Sequence, residues 1–174
     1  MDRRRFIGLA LAGGALASCG VPESGGRTQA PIAVTRYGTS QAEEQAVQFR
    51  VAESVNTYRS ARGLAPLRLN PQLVAAAKTH AIDMARQNRA WHFGSDGSSP
   101  VTRVQRAGYR GVLGGEVISE TYENDIQTVR EWMLDEGTRE VLMDARAREM
   151  GAAYFQQPDG KLWWSLVTAY PPGA

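Results

Sequence analysis

The residues of this chain best suited to chemistry are two histidines and one cysteine. His92 lies in the stretch AWHFGSDGSSP, between Trp91 and Phe93. An imidazole in such a loop can act as a general base or as a metal ligand. It can equally make a structural hydrogen bond that ties the end of a helix to a sheet, and both interpretations stay open. His80 lies one turn from Ala77 and Met84 on the apolar side of a predicted helix, which predicts a buried, hydrogen-bonded core residue.

Cys19 is the only cysteine, so the sequence offers no internal disulfide, thiolate metal cluster or Cys–His catalytic pair. It follows a basic start and an apolar run from Phe6 to Ala17 that is too short for a permanent membrane span. The four residues LASC resemble the lipobox of bacterial lipoproteins, in which the cysteine carries a diacylglycerol after cleavage. Export by the Sec or the twin-arginine route stays open.

The sequence therefore predicts three parts: a lipoprotein signal peptide over residues 1–18, a flexible tether over 19–41 with lipidated Cys19, and a domain over 42–174. The expected location is extracytoplasmic and membrane-anchored, in the periplasm or on the outer membrane if the host has two membranes. The formal net charge of +2 equals the net charge of Asp2 and the three arginines that follow it. Because the rest of the chain is near neutral and has no basic face, we expect no nucleic-acid binding.

Helices are predicted first along the domain. Val47, Val51 and Val55 recur at helical spacing from about Ala42. Asn70 with Pro71, and Ser99 with Pro100, are N-cap and first-turn pairs that open two further helices. Asn124 or Asp125 can cap a fourth, with Ile126, Val129, Trp132 and Met133 on one side.

Strands are predicted mainly later, over residues 116–122, 151–157 and 161–170. The last two flank Pro158, Asp159 and Gly160, which form a typical hairpin turn. Trp163 and Trp164 point to opposite faces of the final strand, and we predict that both are core residues. This order of elements predicts an α+β fold with helices packed on a mainly antiparallel sheet.

The glycine-rich stretches match no catalytic or ion-binding motif. The segment GSDGSSP has one aspartate, too few oxygen ligands for a calcium loop, and it lacks the G-x-S-x-G of a nucleophile elbow. The segment GVLGG lacks the pattern of a phosphate-binding loop. Turn and cap roles for Gly97 and Ser99 are the expectation.

Several segments in order, among them VNTYRSARGLAPLRLNPQLVAAAKTHAIDMA, HFGSDGSSPVTRVQRAGY, GGEVIS and VREWMLDEGTRE, resemble the bacterial branch of the CAP superfamily, the SCP domain. The resemblance covers about residues 46–170 and implies an α-β-α sandwich. It also implies a central cavity framed by two histidines and two acidic residues, which binds a divalent metal such as zinc in several members. His92 falls on the first histidine, Glu116 on the acidic residue of the GEN motif, and Asp135 on the second acidic position.

The fourth position departs from the family, because Thr138 stands where the second histidine is usual. Val117 likewise replaces the asparagine of GEN. Zinc needs three or four ligands and favours imidazole, so we expect no resident metal. If a divalent metal binds weakly, its ligands would be His92, Glu116 and Asp135.

These departures favour a non-enzymatic binding module over an enzyme. The expected ligand is a small amphiphile, lipid or glycan, in a cavity lined by His92, Glu116, Asp135 and Thr138. The alternative is a metal-assisted or His/Glu-based hydrolase of envelope substrates, in which His92 is the base and Glu116 orients it. A structural envelope lipoprotein that contacts only protein partners is a third possibility.

Overall fold

A computed structural model describes residues 35–173. Within them the chain forms five helices and four strands. In chain order these are α1 (Gln41–Ser60), β1 (Arg68–Leu69), α2 (Pro71–Gln87), α3 (Pro100–Arg106), β2 (Val112–Thr121), α4 (Asp125–Leu134), α5 (Glu136–Met143), β3 (Glu149–Gln156) and β4 (Leu162–Tyr170). The predicted signal peptide, Cys19 and residues 20–34 of the tether lie outside the described residues.

The predicted helix starts are confirmed by their caps. The Asn70 side chain accepts from the backbone N–H groups of Gln72 and Leu73, and the Ser99 hydroxyl accepts from Thr102 N. Asn124 rather than Asp125 caps α4. Each cap satisfies amide groups that the first helical turn leaves without partners, so these short polar side chains fix where the helices begin.

The four strands form one mixed sheet in the order β1-β3-β4-β2. The pairs β3–β4 and β2–β4 are antiparallel, whereas the two-residue β1 runs parallel to β3. The turn between β3 and β4 contains Gly160 with a φ of 99°, which favours glycine. The expected α+β fold with a mainly antiparallel sheet is confirmed.

Helices cover both faces of the sheet, which gives the expected α-β-α sandwich. On one face, α1, α4 and α5 pack on Trp164 and Leu166 of β4. On the other face, α2 packs on Trp163 at one end and, together with α3, on Val167 at the other. Both tryptophans are buried, as their alternation along the strand predicts.

One glycine allows α2 to lie close to the sheet. A Cβ atom on Gly151 of β3 would lie 2.1 Å from the carbonyl carbon of Leu73 and 2.2 Å from the amide nitrogen of Val74. The backbone of α2 therefore approaches β3 more closely than any side chain would permit.

Four features of the fold differ from the sequence prediction. The helix α5 and the strand β1 were not predicted, because α5 is short and polar and β1 pairs with a strand about 80 residues later. Ile126 was expected on the packed side of α4, but it lies in the first turn and is exposed. Residues 35–40, which the sequence assigns to the tether, contact β3: Tyr37 packs on Tyr154, and its amide donates to Gln156 Oε1.

No helix within residues 35–173 is long and apolar enough to cross a membrane.

Candidate functional site

Glu116 is the centre of the candidate site. It lies on β2 opposite Val167 of β4, and it faces α2 and α3, while its neighbour Val117 points into the other layer. Only 2% of its side chain is exposed. A buried carboxylate needs a charged partner or several hydrogen-bond donors to offset its lost hydration.

Arg103 of α3 supplies that partner. Its Nη2 donates to both carboxylate oxygens of Glu116, at 2.9 Å to Oε1 and 2.6 Å to Oε2. The Arg103 side chain is itself only 6% exposed. This short, charge-assisted contact compensates the carboxylate inside the protein, where an ion pair is screened little.

Arg103 also orders the loop between α2 and α3. Its Nη1 donates to the carbonyl oxygens of His92, at 3.0 Å, and Ser98, at 2.9 Å. The same loop contains Gly97 with a φ of 77° and ends at the Ser99 cap, as predicted. One guanidinium thus holds both ends of the segment His92–Ser98 against β2.

His92 reaches Glu116 from the solvent side. Its Nδ1 donates to Glu116 Oε1 over 2.9 Å, since the carboxylate can only accept. The side chain of His92 is 52% exposed. The structure therefore brings together two of the predicted site residues, His92 and Glu116, with Oε1 shared between His92 and Arg103.

His80 is buried in α2, as predicted, and it lies on the inner side of Glu116. Its Nε2 donates to the carbonyl oxygen of Trp91 over 3.0 Å and lies 3.7 Å from Glu116 Oε1. Its Nδ1 is buried without a hydrogen-bond partner among the described residues. A second proton on that nitrogen would have no acceptor, so the ring is neutral.

The pKa of His80 is lowered from its usual 6.5, chiefly because burial disfavours the charged ring. Arg103 acts in the same direction, whereas Glu116 and Asp83 oppose it. Between the lowered pKa and 6.5 the unfolded chain binds more protons than the folded one. This contribution to stability is therefore fully present above about pH 6.5 and is lost as the pH falls below it, by at most about 1.4 kcal/mol per pH unit.

We expect the free energy of unfolding to fall between about pH 7.5 and about pH 5.5, and to fall less in His80→Gln than in the unmodified protein. Urea unfolding at both pH values measures this difference. An equal fall in His80→Gln and the unmodified protein would contradict a neutral, buried His80.

Asp135 and Thr138 lie where α4 meets α5. Asp135 caps α5 and accepts from the Thr138 amide at 2.9 Å and the Thr138 hydroxyl at 3.1 Å. The single proton of the Thr138 hydroxyl is shared with the Trp132 carbonyl oxygen, which lies 2.6 Å away. These contacts are local, and α4 and α5 pack on the opposite face of the sheet from α2 and α3. A ligand-binding role for either residue stays a prediction.

The groups around Glu116 do not suit the divalent metal that the family resemblance implies. Both carboxylate oxygens already accept charge-assisted hydrogen bonds from Arg103, so a metal ion would have to displace the guanidinium or share these oxygens with it. No three histidine, cysteine, aspartate or glutamate side chains within residues 35–173 are grouped as metal ligands would be. No chemical step through a metal follows from this arrangement.

Restoring the family histidine by Thr138→His is therefore expected to leave zinc affinity within about threefold of the unmodified protein, since Glu116 stays paired with Arg103. Zinc titration by calorimetry measures this affinity. If affinity instead rises at least tenfold, and Glu116→Gln in the same background removes the gain, then Thr138 and Glu116 face a common site and our account of it is wrong.

Sequence reasoning missed Arg103. Arginine is seldom buried, and nothing in the spacing of α3 marks Arg103 apart from exposed Arg106. The available signal was Glu116 itself, because a carboxylate buried in a strand of a layered fold needs a cation or several hydrogen-bond donors nearby.

The sequence model of the cysteine-rich secretory protein (CAP) family matches residues 52–168. The chain belongs to the CAP family. This chain has one cysteine, so its CAP domain is held together without the disulfides that the family name suggests.

Similar proteins agree with this assignment. The uncharacterized protein YkwD of Bacillus subtilis (strain 168) is 26% identical over 136 residues, which are 78% of this chain and 48% of YkwD. The chain thus spans about half the length of that relative. An extracellular SCP-domain protein from Bacillus anthracis has a TM-score of 0.68 at 18% identity, over 78% of this chain and 45% of its own. An outer surface protein from Borrelia burgdorferi has a TM-score of 0.63 at 16% identity, over 78% of this chain and 98% of its own.

Proposed function

We propose that this CAP protein is an exported, lipid-anchored envelope protein that binds a small amphiphile, lipid or glycan without transforming it. The observation that carries the proposal is the ion pair of Glu116 with Arg103. A carboxylate whose two oxygens already accept charge-assisted hydrogen bonds has little free capacity to bind a metal. Glu116, which the family resemblance implies as a catalytic or metal-binding residue, thus forms a structural ion pair.

The same ion pair favours binding. Arg103 joins α3, the segment His92–Ser98 and β2 through its contacts with two carbonyls and one carboxylate. A surface fixed in this way loses little conformational entropy when a ligand binds, which supports affinity.

Export and anchoring rest on Cys19 and on the similar proteins. The two solved structures are described as an extracellular protein and an outer surface protein, which supports an extracytoplasmic location for this chain. Growth of the host with a radioactive fatty acid tests the anchor. We expect label on the unmodified protein and none on Cys19→Ala, and equal labelling of the two would contradict lipidation at this position.

Binding is tested by incubating the purified protein with a lipid and glycan extract of the host envelope and weighing the recovered complex by native mass spectrometry. We expect about one small molecule per chain, with the same mass as a component of the untreated extract. Protein unfolded in urea before incubation is the control and should carry none. Absence of any bound component from the folded protein would overturn the proposal.

A His/Glu-based hydrolase is the second candidate, and one observation favours it. The Nδ1 of His92 donates to Glu116, which leaves Nε2 without a protein partner in the described part of the chain, on a half-exposed ring. That is the orientation of a general base held by a carboxylate. Hydrolysis would release products lighter than the components of the extract.

A further inference from the structure

A cavity of about 390 Å³ lies between α2 and α3, beside Arg103. The loop containing Ser95 and Ser98 closes one end of it. Small-molecule sites usually measure about 300–1,000 Å³, so this cavity has room for a small ligand. It lies on the α2–α3 side of the ion pair, and none of its lining residues is one of the predicted site residues.

The cavity exists because the side chains along one face of α2 are small. Ala75, Ala76 and Thr79 form its floor, and Ala107 at the end of α3 lies on the far side. Ala76 is buried, whereas Ala75 and Thr79 are exposed to the cavity and to solvent. Such a floor suits an apolar body, because little polar surface would lose its hydration there.

Most of the charges on the rim are already compensated. Arg106 forms an ion pair with Asp96 at the surface, and Arg103 is paired with Glu116. Neither guanidinium is left to attract a ligand of opposite charge strongly.

Asp83 keeps its negative charge, which lies one turn from Arg86 on α2, because its hydrogen-bond donors are neutral. It accepts from the amide and the hydroxyl of Ser95, at 2.7 Å and 2.6 Å, and from Gln87 Nε2 at 2.9 Å. Burial alone would raise the pKa of Asp83, but these bonds lower it overall and occupy both carboxylate oxygens.

Of the three arginines on this rim, Arg86 is the one without an ion pair among residues 35–173. It lies in the last turn of α2, and within residues 35–173 it makes no hydrogen bond or ion pair. A planar guanidinium beside an apolar floor matches a carboxylate or a phosphate attached to an apolar body.

We propose that this cavity binds a small organic anion, with its apolar body on Ala75, Ala76 and Ala107 and its anionic head on Arg86. The inference rests on the proposed binding function and adds the position of the binding site and the charge of the ligand. A single-chain carboxylate and a phosphate monoester share the required chemistry.

Calorimetric titration of the purified protein with octanoate and with octyl phosphate tests the head group. We expect 1:1 binding of at least one of them, and at least tenfold weaker binding to Arg86→Gln. Arg89→Gln is the matched control, because Arg89 stacks on Trp91 and does not line the cavity; its affinity should stay within twofold. Octanol, which lacks the charge, should bind at least tenfold more weakly than the better anion.

Ala75→Leu tests the apolar floor by filling the cavity from an exposed position. We expect it to reduce octanoate binding at least tenfold, whereas Ala46→Leu, at an exposed position of α1, should have no effect. Circular dichroism of both variants checks that they fold.

The outcomes separate the two proposals. If octanoate or an envelope component binds the unmodified protein, and Arg86→Gln and Ala75→Leu bind it equally well, the inference about this cavity is wrong while the proposed function stands. If octanol binds as tightly as the anions, the assigned charge is wrong. If neither the anions nor any envelope component binds the unmodified protein, both proposals fail.

Discussion

Arg103→Met is expected to lower the free energy of unfolding by about 3–5 kcal/mol, because it leaves a buried carboxylate without its cation. Glu116 and Arg103 are 2% and 6% exposed, so water cannot replace the missing partner. The carbonyls of His92 and Ser98 lose a donor at the same time. Urea unfolding at neutral pH measures the change.

Arg106→Met is the matched control for Arg103→Met. Arg106 lies one turn further along α3 and pairs with Asp96 at the surface, where both side chains are more than half exposed. Its loss should change stability little, since exposed ion pairs contribute little. The double variant Arg103→Met/Glu116→Met should recover part of the lost stability, because it removes the uncompensated charge as well. Equal effects of Arg103→Met and Arg106→Met would contradict a structural ion pair at Glu116.

Arg59→Met is expected to cost at least about 3 kcal/mol, since buried carbonyl groups left without donors each cost about 1–3 kcal/mol. Arg59 is fully buried on α1 and donates to Ala65 O at 2.8 Å and Leu142 O at 2.7 Å. It also donates to Asp144 O and Ala147 O. One guanidinium thus satisfies the C-terminal end of α5 and the turn that leads into β3, and its charge complements the helix dipole there.

Arg59→Lys separates charge from geometry. An ammonium group keeps the charge but cannot reach four carbonyls in the plane that a guanidinium covers. We therefore expect Arg59→Lys to lose stability, but less than Arg59→Met. Arg62→Met, at an exposed position one turn further along the chain, is the control and should have little effect. Unfolding transitions of the three variants are compared in urea. A loss from Arg59→Met no greater than that from Arg62→Met would mean that the carbonyls find other donors.

Local signals in the sequence predicted much of the fold. Asn70 and Ser99 cap helices through their own side chains, and the β3–β4 hairpin follows from its turn residues. Each of these features depends on neighbours within a few residues. Burial of His80 followed in the same way from its place on the apolar side of α2.

Features that depend on distant partners could not be predicted in this way. Arg103 reaches Glu116 across 13 residues and Arg59 reaches Leu142 across 83, and both arginines look like surface residues in the sequence. The pairing of His92 with Glu116 was anticipated from the family resemblance, whereas the guanidinium that holds the same carboxylate was not. A buried carboxylate needs a cation or several hydrogen-bond donors, but only the fold shows which residues supply them.

The most direct test of binding without catalysis is a turnover measurement with the envelope extract in about thousandfold excess over protein. The extract is analysed by mass spectrometry after incubation with the unmodified protein, with His92→Gln or without protein. Our account predicts the same composition in all three samples, with unchanged ligand recovered on the unmodified chain. Lighter products in large excess over the protein, formed by the unmodified chain and absent with His92→Gln, would contradict it and identify a hydrolase.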